Sequence, residues 1–225
     1  PGEGIGIAPS PDWKKEYFKP YYDRKREEQL LAIDQKYNKL LANVTDENQK
    51  KKVQIEKEKE IALVELDYKE KRQFYVDWRL FDSFNNSIGQ GYNSYSLLQL
   101  ANYVATIANG GKLYKPYLVD KIIDPVSGEV VKENTPEVLS ESSVSQETLA
   151  IVKKAMSGVT SGEGTANWLF ADVPEFSGGG KTGTAQLGSK GTAKEQSYNG
   201  MFVAFAPYDD PEIAFAGVVE YGGHG

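Results

Sequence analysis

Apolar positions change period along the chain, and each change marks an element. Leu30, Ile33, Tyr37, Leu40 and Val44 fall at three- and four-residue steps, the stripe of an amphipathic helix. Val53, Ile61, Val64 and Tyr68 make a sparser second stripe. Asn43 to Asn48 break the pattern between them, with Thr45 or Asp46 as the cap of the second helix. The two stripes predict antiparallel helices packed along a narrow apolar seam. Residues 96–108 are apolar on most sides and predict a buried helix, stopped by Asn109-Gly110-Gly111. Residues 113–131 read as strand, turn over Asp124–Gly128, strand, and residues 145–159 as a second globular helix capped by Ser145. Met201 to Ala206 and Ile213 to Tyr221 are β-like runs joined at residues 207–211; with the strand beginning at Lys181 they predict an antiparallel meander. Residues 1–22, 82–91 and 188–197 read as loops, the first holding the aromatic cluster Trp13, Tyr17, Phe18, Tyr21 and Tyr22.

Candidate chemistry concentrates at Ser177-Gly178-Gly179-Gly180-Lys181-Thr182-Gly183-Thr184. A phosphate-binding loop would need a glycine five residues before Gly180, where Glu175 stands, and a helix after it, where β-like runs follow. The other reading is a strand. Thr182 and Thr184 lie two apart and share a face, and Lys181 starts from the opposite one. Gly183 has no side chain, so on an edge strand it lets a substrate backbone approach and add as a further strand. A lysine beside two hydroxyls suits a substrate ending in a carboxylate. The competing structural reading is a glycine-rich turn into a core strand, with Lys181 solvated.

Charge sharpens the division into parts. The 225 residues carry a formal net charge of −6, which gives no basic excess for nucleic acid. Residues 23–77 hold thirteen basic and thirteen acidic residues, so the paired helices are neutral overall and the rest of the chain carries the acidity. A hairpin so charged is expected to project, either as a solvated spacer or as an arm for a partner. The sequence contains no cysteine, which removes disulfides, thiol catalysis and cysteine–metal sites. No apolar run reaches the roughly 18 residues of a membrane span. His224 is the single histidine and cannot make a metal site by itself. The opening at Pro1-Gly2-Glu3 and the ending straight after a strand suggest a piece of a larger protein.

Several stretches, taken together and in order, resemble the transpeptidase domain of a class B, elongation-type penicillin-binding protein. They are Pro1-Gly2-Glu3, residues 9–14 (Pro-Ser-Pro-Asp-Trp-Lys), Ile88-Gly89-Gln90-Gly91, residues 98–102 and 109–116, Lys181-Thr182-Gly183-Thr184, and residues 199–207. The resemblance covers nearly everything outside 23–77. It implies an α/β (α+β) penicillin-binding/β-lactamase-like fold: an antiparallel sheet flanked by helices, with residues 23–77 as an inserted helical hairpin. Lys-Thr-Gly is the third of three family motifs, after Ser-x-x-Lys and a Ser-x-Asn type. The sequence contains no Ser-x-x-Lys, and Ser83-Phe84-Asn85 and Ser197-Tyr198-Asn199 stand in the wrong places for the second motif.

The resemblance implies a D,D-transpeptidase that cross-links peptidoglycan stem peptides through an acyl-serine and is trapped by β-lactams. The implied catalytic residues are Lys181, Thr182, Gly183 and Thr184, with Thr182 and Thr184 binding substrate. The serine belongs to an N-terminal remainder of the same protein, which also anchors it at the extracytoplasmic face of the bacterial membrane beside cell-wall synthesis partners. No cofactor or metal is implied. Two alternatives stay open: a β-lactamase of the same fold, and a non-catalytic penicillin-sensing or partner-binding domain.

Overall fold

In the computed structural model, residues 5–173, 175–186 and 198–222 are described, and they fall into two compact units. The polar stretch expected over 188–197, Pro1-Gly2-Glu3 and His224 lie outside the described residues.

One unit spans Ile7–Ser94. Its helix α1 (Pro11–Ala42) starts midway through the 1–22 stretch that reads as a loop. Pro11 stands in the first helical turn, where a missing N–H costs nothing, and the Ser10 hydroxyl accepts from Trp13 N at 3.0 Å. The helix places Trp13, Tyr17 and Phe18 on neighbouring positions, and Trp13 and Phe18 each meet the Tyr92 ring at 5.4 Å. The aromatics thus dock α1 within its unit. Helix α2 (Glu47–Lys71) begins at Asp46, whose side chain accepts from Gln49 N at 2.8 Å. Of the predicted seam, Ile33 and Tyr37 are buried, whereas Leu40 is 43% exposed and no α2 residue is fully buried. Two lone helices can cover only a narrow strip of each other. Ion pairs flank it: Lys57 with Asp34 at 2.7 Å, Lys36 with Glu60, and Arg26 with Glu65. Exposed pairs of this kind contribute little to stability, because solvent screens them.

Past a π-helical turn at Arg72–Val76 comes α3 (Leu80–Ser87), a helix where the sequence reads as a polar loop. Asp82 explains it. Its carboxylate accepts from Arg79 N at 2.8 Å, closing the N-terminal turn, and from the buried Lys14 ammonium at 2.7 Å. Lys14 also donates to the Asp77 carbonyl at 3.1 Å. One ion pair therefore ties the first turn of α1 to α3.

The other unit comprises Pro1–Gly6 and Tyr95–Gly225. Helix α4 (Leu97–Ala108) opens with a capping box, Ser96 bonding Gln99 N while Gln99 reaches back to Ser96 N. It ends at Asn109, with Gly110 at φ 83°, a left-handed turn that favours glycine. Strands β1 (Lys112–Tyr114), β2 (Lys121–Ile123), β3 (Val130–Glu133) and β4 (Val138–Glu141) form two small antiparallel pairs, β1 with β4 and β2 with β3. Helix α5 (Gln146–Val159) is capped by Ser145, and a short α6 (Asn167–Phe170) follows. Then come β5 (Gly179–Gln186), β6 (Tyr198–Ala206) and β7 (Ile213–Val219), paired antiparallel in that order. Val104, Ile107 and Ala108 of α4, Met156 of α5 and Phe205 of β6 make the core. The arrangement is α+β, an antiparallel sheet with α4 and α5 against one face.

Candidate active site

Strand β5 lies at one side of the three-stranded sheet, with β6 as its hydrogen-bonded neighbour among the described residues. Glycines set its position. A Cβ on Gly179 would stand 2.8 Å from the Phe205 ring and 3.0 Å from Met156, so the strand can lie against α5 only without a side chain there. On the other face a Cβ on Gly180 would stand 2.7 Å from the Phe202 ring. These two positions are packing requirements. Gly183 differs: its nearest neighbour would be Met201 Cβ at 3.3 Å, across the register pair.

The pairing register assigns the faces. Gly180, Thr182 and Thr184 oppose Ala204, Phe202 and Gly200; Lys181 and Gly183 oppose Val203 and Met201 on the helix-covered face. Thr182 and Thr184 are half-buried on the face away from α4 and α5, and Lys181 is exposed. The Lys181 ammonium bends back to donate to the Thr182 carbonyl at 2.6 Å. The four residues singled out in the sequence therefore form one continuous strand segment, with two hydroxyls on one face and one cation at its flank.

A fifth residue joins them. The Oγ1 atoms of Thr165 and Thr182 are 3.1 Å apart, a hydroxyl–hydroxyl hydrogen bond. Thr165 ends the turn after α5. That turn is held tightly: Ala166 is fully buried and donates to the Val159 carbonyl at 3.0 Å. A Cβ on Gly164 would come within 2.2 Å of the Gly158 carbonyl oxygen. The sequence marks residues 160–165 only as a glycine-bearing turn, and the close packing that requires Gly164 is visible only in the structure. Ser83, of the first Ser-x-Asn match, lies in α3 and accepts from the Trp78 indole at 2.8 Å. Ser197 of the second is outside the described residues.

A lysine-threonine-glycine edge strand backed by two helices is the arrangement of a penicillin-recognising transpeptidase fold. The chain matches the family model "Penicillin binding protein transpeptidase domain" over residues 33–224, and it belongs to that family. It is 35% identical over 144 residues to stage V sporulation protein D of Bacillus subtilis (strain 168), covering 61% of this chain and 22% of that protein. It is 28% identical over 188 residues to peptidoglycan D,D-transpeptidase MrdA of Haemophilus influenzae, covering 77% of this chain and 28% of that protein. Among solved structures, penicillin-binding protein 2B of Streptococcus pneumoniae (strain R6) superposes with a TM-score of 0.57 at 30% identity, over 65% of this chain and 24% of that one. The chain thus spans about a fifth to a third of the length of the proteins it matches.

Proposed function

We propose that this chain is the C-terminal portion of the transpeptidase domain of a serine D,D-transpeptidase, with residues 23–77 inserted into that domain. One observation carries the reading: the Lys-Thr-Gly-Thr segment lies along a strand edge with both threonines on one face, in a chain of the penicillin-binding family. The whole protein's nucleophile lies on a Ser-x-x-Lys outside this chain. That serine attacks the D-alanyl-D-alanine carbonyl of one stem peptide. The carbonyl–nitrogen bond breaks, the leaving amine takes a proton, and terminal D-alanine departs. An amine of a second stem peptide then attacks the acyl-serine, frees the hydroxyl and completes the cross-link.

The strand supplies recognition. The Thr182 and Thr184 hydroxyls hold the donor's terminal carboxylate. The Thr184 backbone N–H forms half of an oxyanion hole, a contribution of about 3 kcal/mol to the barrier. Lys181 sets a positive potential and aids the proton transfer to the leaving amine. Gly183 keeps the strand edge open for the substrate backbone. The protein then works at the extracytoplasmic face of the membrane, on peptidoglycan, in the company of other cell-wall synthesis proteins. β-Lactams mimic the donor and acylate the same serine.

The test is acylation of the full-length protein by a labelled penicillin, followed by intact mass. The expected result is one stable adduct on a serine N-terminal to this chain, and slow acylation in Lys181→Ala. Normal acylation of Lys181→Ala would remove Lys181 from the site. Rapid turnover of the penicillin would make the protein a β-lactamase.

A further inference from the structure

A cavity of about 320 Å³ lies wholly inside the unit Ile7–Ser94 and shares no lining residue with β5. Phe74, Tyr75, Trp78 and Tyr92 supply aromatic walls, and Asn85 and Arg79 supply polar groups. Arg79 is the unusual member. Its guanidinium stacks on Phe74, 4.0 Å from the ring centroid. Its Nε is cut off from solvent and has no hydrogen-bond partner among the described residues. A desolvated guanidinium donor left unmatched is costly, by ~1–3 kcal/mol or more.

The other charges around the cavity are already matched. Lys14 is spent on Asp82 and the Asp77 carbonyl; Asp82 is spent on Lys14 and the Arg79 amide. With that pair neutral, the lining carries one uncompensated positive charge. A single carboxylate is its complement, because the planar guanidinium fork matches a carboxylate in geometry as well as charge. A phosphate dianion would bring a second negative charge beside Asp82. The aromatic walls require an apolar body behind the carboxylate.

We propose that this cavity binds a carboxylate carried on an aromatic or branched apolar stem, with Arg79 holding the carboxylate and Phe74, Tyr75 and Trp78 enclosing the stem. Such a group is offered either by a small organic acid or by the terminal residue of a peptide.

The test uses the full-length protein, with the Trp78 indole N–H as reporter in a ¹H–¹⁵N spectrum, assigned through Trp78→Phe. Phenylacetate, its neutral isostere phenylacetamide, and N-acetyl-L-phenylalanine are titrated in turn. Phenylacetate is expected to shift the Trp78 signal saturably and to bind roughly tenfold or more tightly than the amide. In Arg79→Gln the acid and the amide should bind alike, and Arg79→Lys should recover part of the preference. Tighter binding of N-acetyl-L-phenylalanine than of phenylacetate assigns the site to a peptide terminus; weaker binding assigns it to a free acid. Equal binding of acid and amide by the unaltered chain, or no shift with any probe, overturns the proposal. That comparison stands even if Arg79→Gln fails to fold.

Discussion

The Lys14–Asp82 pair gives the sharpest test of how the unit Ile7–Ser94 is held together. Lys14 is 1% exposed and Asp82 9%. Lys14→Met keeps the length and apolar stem of the side chain but leaves the carboxylate buried with one remaining donor, the Arg79 amide. It also leaves the Asp77 carbonyl without its lysine. Removing one member of a buried pair costs about 3–5 kcal/mol. The surviving amide bond places this case near the lower end, at about 3 kcal/mol. Asp82→Asn should cost a similar amount, because it leaves the buried ammonium among neutral oxygens, the Asp77 carbonyl and the new amide, with no counter-charge. The double variant strands no charge, so it should be less destabilised than the sum of the singles by about 2 kcal/mol. Urea unfolding followed by tryptophan fluorescence measures this. A Trp168→Phe background confines the signal to Trp13 and Trp78, both in this unit. Additive single effects, or a Lys14→Met cost below 1 kcal/mol, would refute the claim that the pair locks α1 to α3.

The same unit should lose stability in acid. Burial pushes the Asp82 carboxyl up, but the Lys14 ammonium and the Arg79 amide outweigh it and hold the group below its ordinary value of 3.8. The unfolded chain therefore takes up the proton first. The stabilisation is complete above about pH 4 and fades as pH falls through the lowered value, and Asp82→Asn should flatten that part of a stability–pH curve. Gly164→Ala should destabilise the other unit by at least ~2 kcal/mol, read as a fall in its unfolding midpoint, because the added carbon meets backbone oxygen at 2.2 Å. Gly183→Ala should separate fold from function. Its Cβ meets only Met201 at 3.3 Å, so thermal unfolding should move little, while penicillin acylation of the full-length protein slows at least tenfold. An equal fall in stability for Gly183→Ala and Gly180→Ala would contradict that separation. Thr165→Val should weaken carboxylate recognition through Thr182 and raise the concentration of penicillin needed for half-maximal acylation rate, with Thr165→Ser restoring it.

Periodicity makes the meander, α4, α5 and the two long helices legible, since each buries a regular face or carries a side-chain cap. It fails where long-range contacts decide. Residues 80–88 carry a short apolar stripe, Leu80, Phe81, Phe84 and Ile88, but those side chains stay exposed, and the aspartate at the third position gains its weight from a lysine 68 residues away that is buried against it. Pro9-Ser10-Pro11 looks like a loop by composition and is a helix start by position, because proline is tolerated in a first turn and serine caps it. Leu40 fits the stripe yet stays exposed: a two-helix contact is narrower than a stripe drawn on one helix. Strand β4 escapes notice because it is only four residues long and all exposed.

The candidate site shows the same division at finer scale. Lys181, Thr182, Gly183 and Thr184 are adjacent in sequence, so the strand period alone assigns their faces. Thr165 reaches Thr182 across a turn, and no pattern within either segment announces that meeting. The glycines carry the most information that the sequence leaves mixed. Gly178, Gly179, Gly180 and Gly183 look alike in a motif, yet a side chain on the first three would strike Phe205, Met156 or Phe202 within about 3 Å, whereas one on Gly183 would meet only Met201, at 3.3 and 3.9 Å. Packing is sufficient reason for three of them. It is weakest at Gly183, where Met201 need give by only a few tenths of an ångström, so Gly183→Ala is the substitution that separates the proposed substrate contact of β5 from its packing.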